Sequence, residues 1–377
     1  MLSVGVIGIG NAGSQIATLA HSEGIDAIAI NSSERDLSTI PDEIIKIELG
    51  DLRGAGKNRT AAKEFLEKAI AEVVGRKDVT DFLMKQDIVF ITSSTGGGTG
   101  SGIAPLMYEI ITSMNPDIYV ILVGVLPSLD EAYTTQVNTI DYMGDTFDSI
   151  SKTPTYMFYD NNKLRNEPTY RMMNDINKSI VNDMLVIQGR YCYTTKYSSI
   201  DEKDMAMIVS TPGRIVVTSY EGIKEKDLDN ASIDETLERH LKEGTHVELQ
   251  TDRVIKRIGV IANLEEGLAN KFDDKLKGLQ EFVGSPVEEF SNIAINTEKA
   301  VPNTVYFIGA GLNPPTDRIE KINERIAELD ELQKADDVDR SILAEVDVKS
   351  ANEKRMYREK DNSQVVNMND IFSRFKK

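Results

Sequence analysis

Residues 93–102 read SSTGGGTGSG, with glycine at 96, 97, 98, 100 and 102 and no bulky side chain. They follow the apolar run DIVFIT (87–92) and precede IAPLMYEIITSM (103–114), a strand and a helix by pattern. Ordering so many glycines costs more backbone entropy than ordering other residues. Close approach of a ligand to bare backbone offsets that cost. Several N–H groups aimed at an anion beside a helix N-terminus hold phosphate. GxxxxGK[ST] occurs nowhere, so this is not a Walker A loop. A second loop, GVIGIGNAGSQI (5–16), sets Gly8, Gly10 and Gly13 in the G-x-G-x-x-G pattern of a dinucleotide site. That pattern wants an acid at the end of the second strand, where this chain has Asn31-Ser32-Ser33 and reaches Glu34 only afterwards. Two glycine loops on one sheet edge suit a nucleotide with a longer phosphate tail.

Other reactive residue types are sparse. SIDEKD (199–204) spaces Asp201 and Asp204 three apart, and alone it reads as a solvated acidic turn. His21, His240 and His246 show no metal-ligand spacing. Cys192, the single cysteine, excludes an intrachain disulfide and reads as a small packed residue.

The elements that must position these loops alternate. Strands are expected over 2–9, 26–31, 87–92, 118–127 and 153–161, with helices over 14–24, 59–76 and 103–114. This is an α/β pattern with a parallel, doubly wound sheet, whose ligands bind beyond the carboxyl ends of the strands. A long helix follows over 167–189, with Tyr170, Met173, Ile176, Ile180, Met184 and Ile187 three or four apart. A second, smaller α/β unit has strands over 214–220, 253–263 and 303–311. Ile319, Ile322, Ile326 and Leu329 mark one face of a terminal helix over 316–333. Residues 349–377 show weak periodicity and read as a mobile tail.

The 377-residue chain has 40% hydrophobic residues and a net charge of −18. So acidic a body repels DNA. Residues 353–377 differ, with seven Lys/Arg against four acids, a net +3 beside −21 for the remainder. No long apolar run predicts a membrane span, and MLSVGVIGIG lacks the basic start of a signal peptide, so a cytoplasmic setting is expected.

GGGTGSG (96–102) resembles the signature loop of the tubulin/FtsZ family of GTPases. GIGNAGSQI (8–16) resembles that family's first nucleotide loop, AINSS (29–33) its second, GAGKNR (54–59) its third and YDNNKL (159–164) its base-side loop. The likeness covers roughly residues 2–312. It implies a Rossmann-like GTPase domain (1–166), a central helix (167–190), a C-terminal activation domain (191–315), a long C-terminal helix (316–348) and a flexible basic tail (349–377). Gly97, Gly98, Thr99 and Gly100 would face the β/γ-phosphates of GTP or GDP, and Gly10, Asn11 and Ala12 the α/β-phosphates. Gly54, Ala55 and Gly56 would close over the γ-phosphate. Gln15, Asn161 and Asn174 would serve the base side, Asn31 would contact the nucleotide from the second loop, and Glu131 would contact the ribose. Mg²⁺ would neutralise phosphate charge, through ligands the motifs do not name. Asp201 and Asp204 match the family's N-x-D-x-x-D catalytic loop, with Ser199 in place of its asparagine, and would act on the nucleotide of the next subunit.

LPSLDEA (126–132), DNNKL, the long terminal helix and the basic tail look more like the plasmid- and phage-borne TubZ branch. That likeness implies head-to-tail filaments in a bacterial cytoplasm. It also implies indirect DNA attachment through a TubR-type adaptor, with Ile371, Phe372 and Phe375 as a small apolar anchor, and no direct membrane contact. An FtsZ-like role in cell division is the alternative. An oxidoreductase reading lacks an evident catalytic His/Lys pair.

Overall fold

The computed structural model describes residues 1–193, 195, 199–230, 233–250, 254–276, 288–296, 302–340 and 368–375. Its strands are β1 (Val4–Ile9), β2 (Asp26–Asn31), β3 (Ile45–Glu48), β4 (Ile88–Ser94), β5 (Tyr119–Leu126), β6 (Thr155–Asp160), β7 (Gly213–Glu221), β8 (Arg257–Leu264), β9 (Glu288–Ile295) and β10 (Thr304–Leu312). They form one sheet in the order β3-β2-β1-β4-β5-β6-β7-β10-β8-β9. Strands β1 to β6 are all parallel. Alternate residues feed cores on opposite faces: Ile88 and Phe90 join one, Val89 and Ile91 the other. Such two-sided burial explains why these strands read as unbroken apolar runs.

The second unit joins through a short parallel ladder, Thr155–Gly213 and Tyr156–Arg214. There β10 runs antiparallel to both β7 and β8, while β8 and β9 are parallel, so this part of the sheet is mixed. It has its own core around Ile258, Val260, Phe272 and Phe307.

The helices that bear on the site are α1 (Gly10–Ser22), α2 (Glu34–Leu37), α3 (Arg59–Gly75), α4 (Lys77–Leu83), α5 (Thr99–Met114), α6 (Tyr133–Gly144), α7 (Thr169–Ile187) and α8 (Glu202–Val209). Two of them begin four residues earlier than the sequence suggests, because the glycine loops themselves form the first turns. A long terminal helix, Thr316–Arg340, packs on α6, with Ile322 buried and Ile319 and Ile326 half-buried.

The chain's end departs from the expectation of a free tail. Met368–Arg374 is a helix, and Ile371, Phe372 and Phe375 are 2%, 5% and 1% exposed in the core shared by α3 and α5. The expected adaptor anchor is thus already buried against its own chain. Three apolar residues on so short a segment give too little periodicity to announce this. Residues 341–348 of the expected terminal helix, and 349–367, 376 and 377 of the expected tail, lie outside the described residues.

Candidate nucleotide site

The ends of β1 and β4 deliver two helix N-termini to one cavity of about 370 Å³. Neither α1 nor α5 has a side-chain N-cap or an acid in its first turn. First-turn N–H groups lack intrahelical acceptors, and the helix dipole adds positive potential there. Two such ends facing one space form an anion site made of backbone.

Gly10, Asn11, Ala12, Asn31, Gly54, Ala55, Gly56, Gly97, Gly98, Thr99 and Gly100 all line this cavity. The glycines serve different purposes. Gly10 has φ +71°, and a Cβ there would stand 2.9 Å from the Gly100 nitrogen, so the two loops touch. Gly98 packs on the third loop, where a Cβ would meet Lys57 Cα at 2.8 Å. Gly97 and Gly56 would meet no atom within 4 Å. Gly56 is held at φ +56°, where glycine is favoured, whereas at Gly97 the missing side chain leaves open space toward the cavity. Thr99 shares a 2.7 Å hydrogen bond with Ser32, and Asn31 accepts from the N–H groups of Ser32 and Ser33.

Sequence reading passed over two residues that organise this end. Lys57 is the sole cation among the described lining residues, held at φ +61° with its Nζ donating to Thr135 at 2.7 Å. Asn138 donates from Nδ2 to the carbonyls of Gly97 (2.9 Å) and Lys57 (3.0 Å), pinning the signature loop to the third loop. Asp36 is the sole carboxylate in that lining. Among the described residues no group of three His, Cys, Asp or Glu could hold a metal.

A second cavity of about 460 Å³ adjoins the first through Ala12 and Ser94. Glu131, Asn161, Thr169, Met173 and Asn177 contribute to its walls. Glu131 accepts from the Ser128 N–H at 3.0 Å, and Asn162 accepts from the Leu129 N–H at 3.1 Å, which fixes the β5–α6 loop beside Asn161. Asn174 lies half-buried on α7 outside the lining, where Asn177 stands instead. Gln15 also lies outside both linings, with its Nε2 3.5 Å from the Thr39 hydroxyl. Tyr170, 83% exposed, sits one turn before Asn174 on the same helix face.

The terminal helix braces this side. Arg318 makes a bidentate pair with Asp160 at the end of β6, at 2.8 and 3.0 Å, and donates to the Pro127 carbonyl at 2.7 Å. Both partners are 6% exposed. Removing one member of such a pair strands a buried charge. Arg318→Met is therefore expected to destabilise the fold by about 3–5 kcal/mol in chemical denaturation. A loss under about 1 kcal/mol, the range of exposed pairs, would show that water reaches Asp160.

Asp201 and Asp204 stand far from both cavities. Asp201 caps α8, its Oδ1 accepting from the N–H groups of Lys203 (2.8 Å) and Asp204 (2.9 Å). Asp204 accepts from the Asp201 N–H at 3.0 Å, completing a reciprocal capping box. The pair is locked in place without any partner for its charge in those bonds. Asp201 lines an open basin with Met1, Leu2, Gln188, Gly189 and Ser199. Met1 and Leu2 precede β1, while the phosphate cavity lies at its other end. Gly189 follows α7, whose first turn lines the base-side cavity. The 19 residues of α7 at about 1.5 Å each separate the two ends by about 28 Å. No side chain spans that gap. Cys192 also lines this basin, and burial pushes its thiol up to about 11, which suits a packed residue.

Comparison with known proteins agrees with this geometry. Residues 3–167 match the family described as Tubulin/FtsZ family, GTPase domain. The chain is 28% identical over 308 residues to the tubulin-like protein CetZ of Pyrococcus furiosus, covering 74% of this chain and 79% of that protein. It is 22% identical over 306 residues to the tubulin-like protein TubZ of Clostridium botulinum C phage, covering 80% and 76%. A GTPγS-bound protofilament of CetZ2 from Haloferax volcanii superposes with a TM-score of 0.71 at 18% identity, covering 87% of this chain and all of that one. No helix among the described residues is long and apolar enough to cross a membrane. Residues 3–167 are a GTPase domain of the tubulin/FtsZ family.

Proposed function

We propose that the chain binds GTP in the paired cavities and hydrolyses it only when a second copy brings Asp201 and Asp204 over the terminal phosphate. One observation carries this reading: the base-side cavity, which adjoins the anion-binding loops, lies at the start of α7, and the basin of the fixed carboxylates lies beyond its end. A contact joining opposite ends of identical subunits is heterologous, and without ring closure it propagates as a filament. The carboxylates would position and polarise the attacking water, and Lys57 would neutralise charge beside the γ-phosphate. Mg²⁺, when bound, would supply further charge neutralisation on the phosphates. With no metal-ligand cluster among the described residues, phosphate oxygens and water would hold it.

Asn161 and Asn177 each offer a donor and an acceptor to a guanine edge, and Asn174 extends the same helical face. Tyr170 offers a ring on which a base can stack. A site that pairs with one base edge leaves buried groups unpaired with another. GTP is therefore expected to exceed ATP in kcat/KM by about 100-fold or more. Equal turnover of the two would remove the guanine assignment.

For cargo, we propose segregation or positioning of plasmid or phage DNA through a DNA-binding adaptor of TubR type, in a bacterial cytoplasm. The net +3 at the chain's end beside an acidic body and the likeness to a phage TubZ support this reading. Electron microscopy with GTPγS tests for filaments, and capture of DNA with and without the adaptor tests the cargo. Isolated subunits under assembly conditions, or tight capture of bare DNA, would contradict it.

A further inference from the structure

The groove between α3, α5 and the turn Asp145–Ser149 holds the chain's own C-terminal helix. We propose that this docking is a built intramolecular contact, and that the seated helix braces the phosphate loops through a continuous polar relay. Its groove-facing apolar residues, Ile371, Phe372 and Phe375, are all at most 5% exposed.

Two charges show that the seat is specific. Glu109 lies 2% exposed on α5, and Arg374 supplies its cation at 2.7 Å. Without Arg374 that buried carboxylate keeps the Ser151 N–H at 3.0 Å, a neutral donor for a full charge. Arg374 and Ser149 also exchange hydrogen bonds at 3.4 Å. From α3, Lys63 donates to the Phe375 carbonyl at 3.0 Å and stands 5.6 Å from the centre of its ring. A cation there also suits the negative end of the tail helix dipole.

The relay starts at the same lysine. Lys63 Nζ lies 2.8 Å from Asp145 Oδ2, and Asp145 pairs with Arg59. Arg59 donates to the Asn138 carbonyl at 2.8 Å, and Asn138 holds the carbonyls of Gly97 and Lys57. Arg59 and Asp145 are 7% and 8% exposed, so water does not compete for these bonds. The C-terminal helix and the end of the cavity at Gly97 and Lys57 thus share one continuous network, buried at Arg59, Asp145 and Asn138, a physical route for coupling between them.

The test uses the full chain. Amide hydrogen exchange is followed in the absence of nucleotide, at two chain concentrations below assembly, for the native chain, Arg374→Lys and Arg374→Glu. Protection of residues 371–375, equal at both concentrations, is expected in the first two and lost in Arg374→Glu, which sets two carboxylates together. GTPγS affinity is expected to fall about fivefold in Arg374→Glu alone. Phe375→Ala should reproduce both effects, and serves if Arg374→Glu fails to fold. Unprotected amides in the native chain, or protection that rises with concentration as in docking onto a neighbour, would overturn the intramolecular seat. A released helix with unchanged GTPγS affinity would overturn the brace.

Discussion

Asp201→Asn and Asp204→Asn are each expected to cut GTP turnover by about 100-fold or more while leaving GTP affinity and assembly intact. Asparagine is chosen over alanine because Asp201 is also a helix cap. Asparagine caps as well as aspartate, and its Oδ1 can accept the same N–H bonds from Lys203 and Asp204. Alanine would cost about 1 kcal/mol of local stability and blur the result. The amide removes the charge that polarises water and keeps the fold. Filaments of either variant should therefore outlive those of the native chain. Turnover within a few-fold of native, measured in assembled protein, would leave the pair as a structural cap only.

Gly97→Val is expected to act on the other half-site. Nothing stands within 4 Å of a Cβ at Gly97, so the fold should tolerate the substitution. The added methyls would occupy the space that a phosphate needs against the N–H groups of α5. Hydrogen bonds to a charged group contribute about 1.5–3 kcal/mol each, so losing even one should weaken GTP by about 10- to 100-fold. Isothermal titration with GTP and GDP measures this, and unchanged thermal melting separates it from misfolding. Gly98→Ala is a poorer probe, because its Cβ would press on the Lys57 backbone. Native affinity in Gly97→Val would place the phosphates elsewhere.

The glycine loops and buried strands were legible because each follows from one local rule. Apolar runs such as DIVFIT match strands buried on both faces, and a glycine cluster between strand and helix has few other uses. The edge strands β3 and β9 escaped notice because their sequences, IKIE and EEFSNIAI, mix charges among the apolar residues. Edge strands need no continuous apolar run. The starts of α1 and α5 were hidden since glycine argues against helix locally, and only packing of the two loops overrides that. Lys57 and Arg318 were invisible for another reason. Their partners lie 78 and 158 positions away, so their roles exist only after folding. The docked C-terminal helix belongs with them, because its seat is assembled from α3, α5 and the turn at 145–149.

Mixing the two variants tests catalysis between subunits most directly. Asp201→Asn protomers keep the nucleotide site and lose the carboxylate, whereas Gly97→Val protomers keep the carboxylate and lose the nucleotide site. GTP turnover is measured across mixing ratios, with co-assembly verified by sedimentation. Each variant alone should be nearly inactive, and turnover should rise to a maximum near equal proportions, where a competent carboxylate most often faces a filled site. Flat, near-zero turnover at every ratio, from variants that fold and co-assemble, would contradict catalysis across the interface and place the whole reaction within one chain.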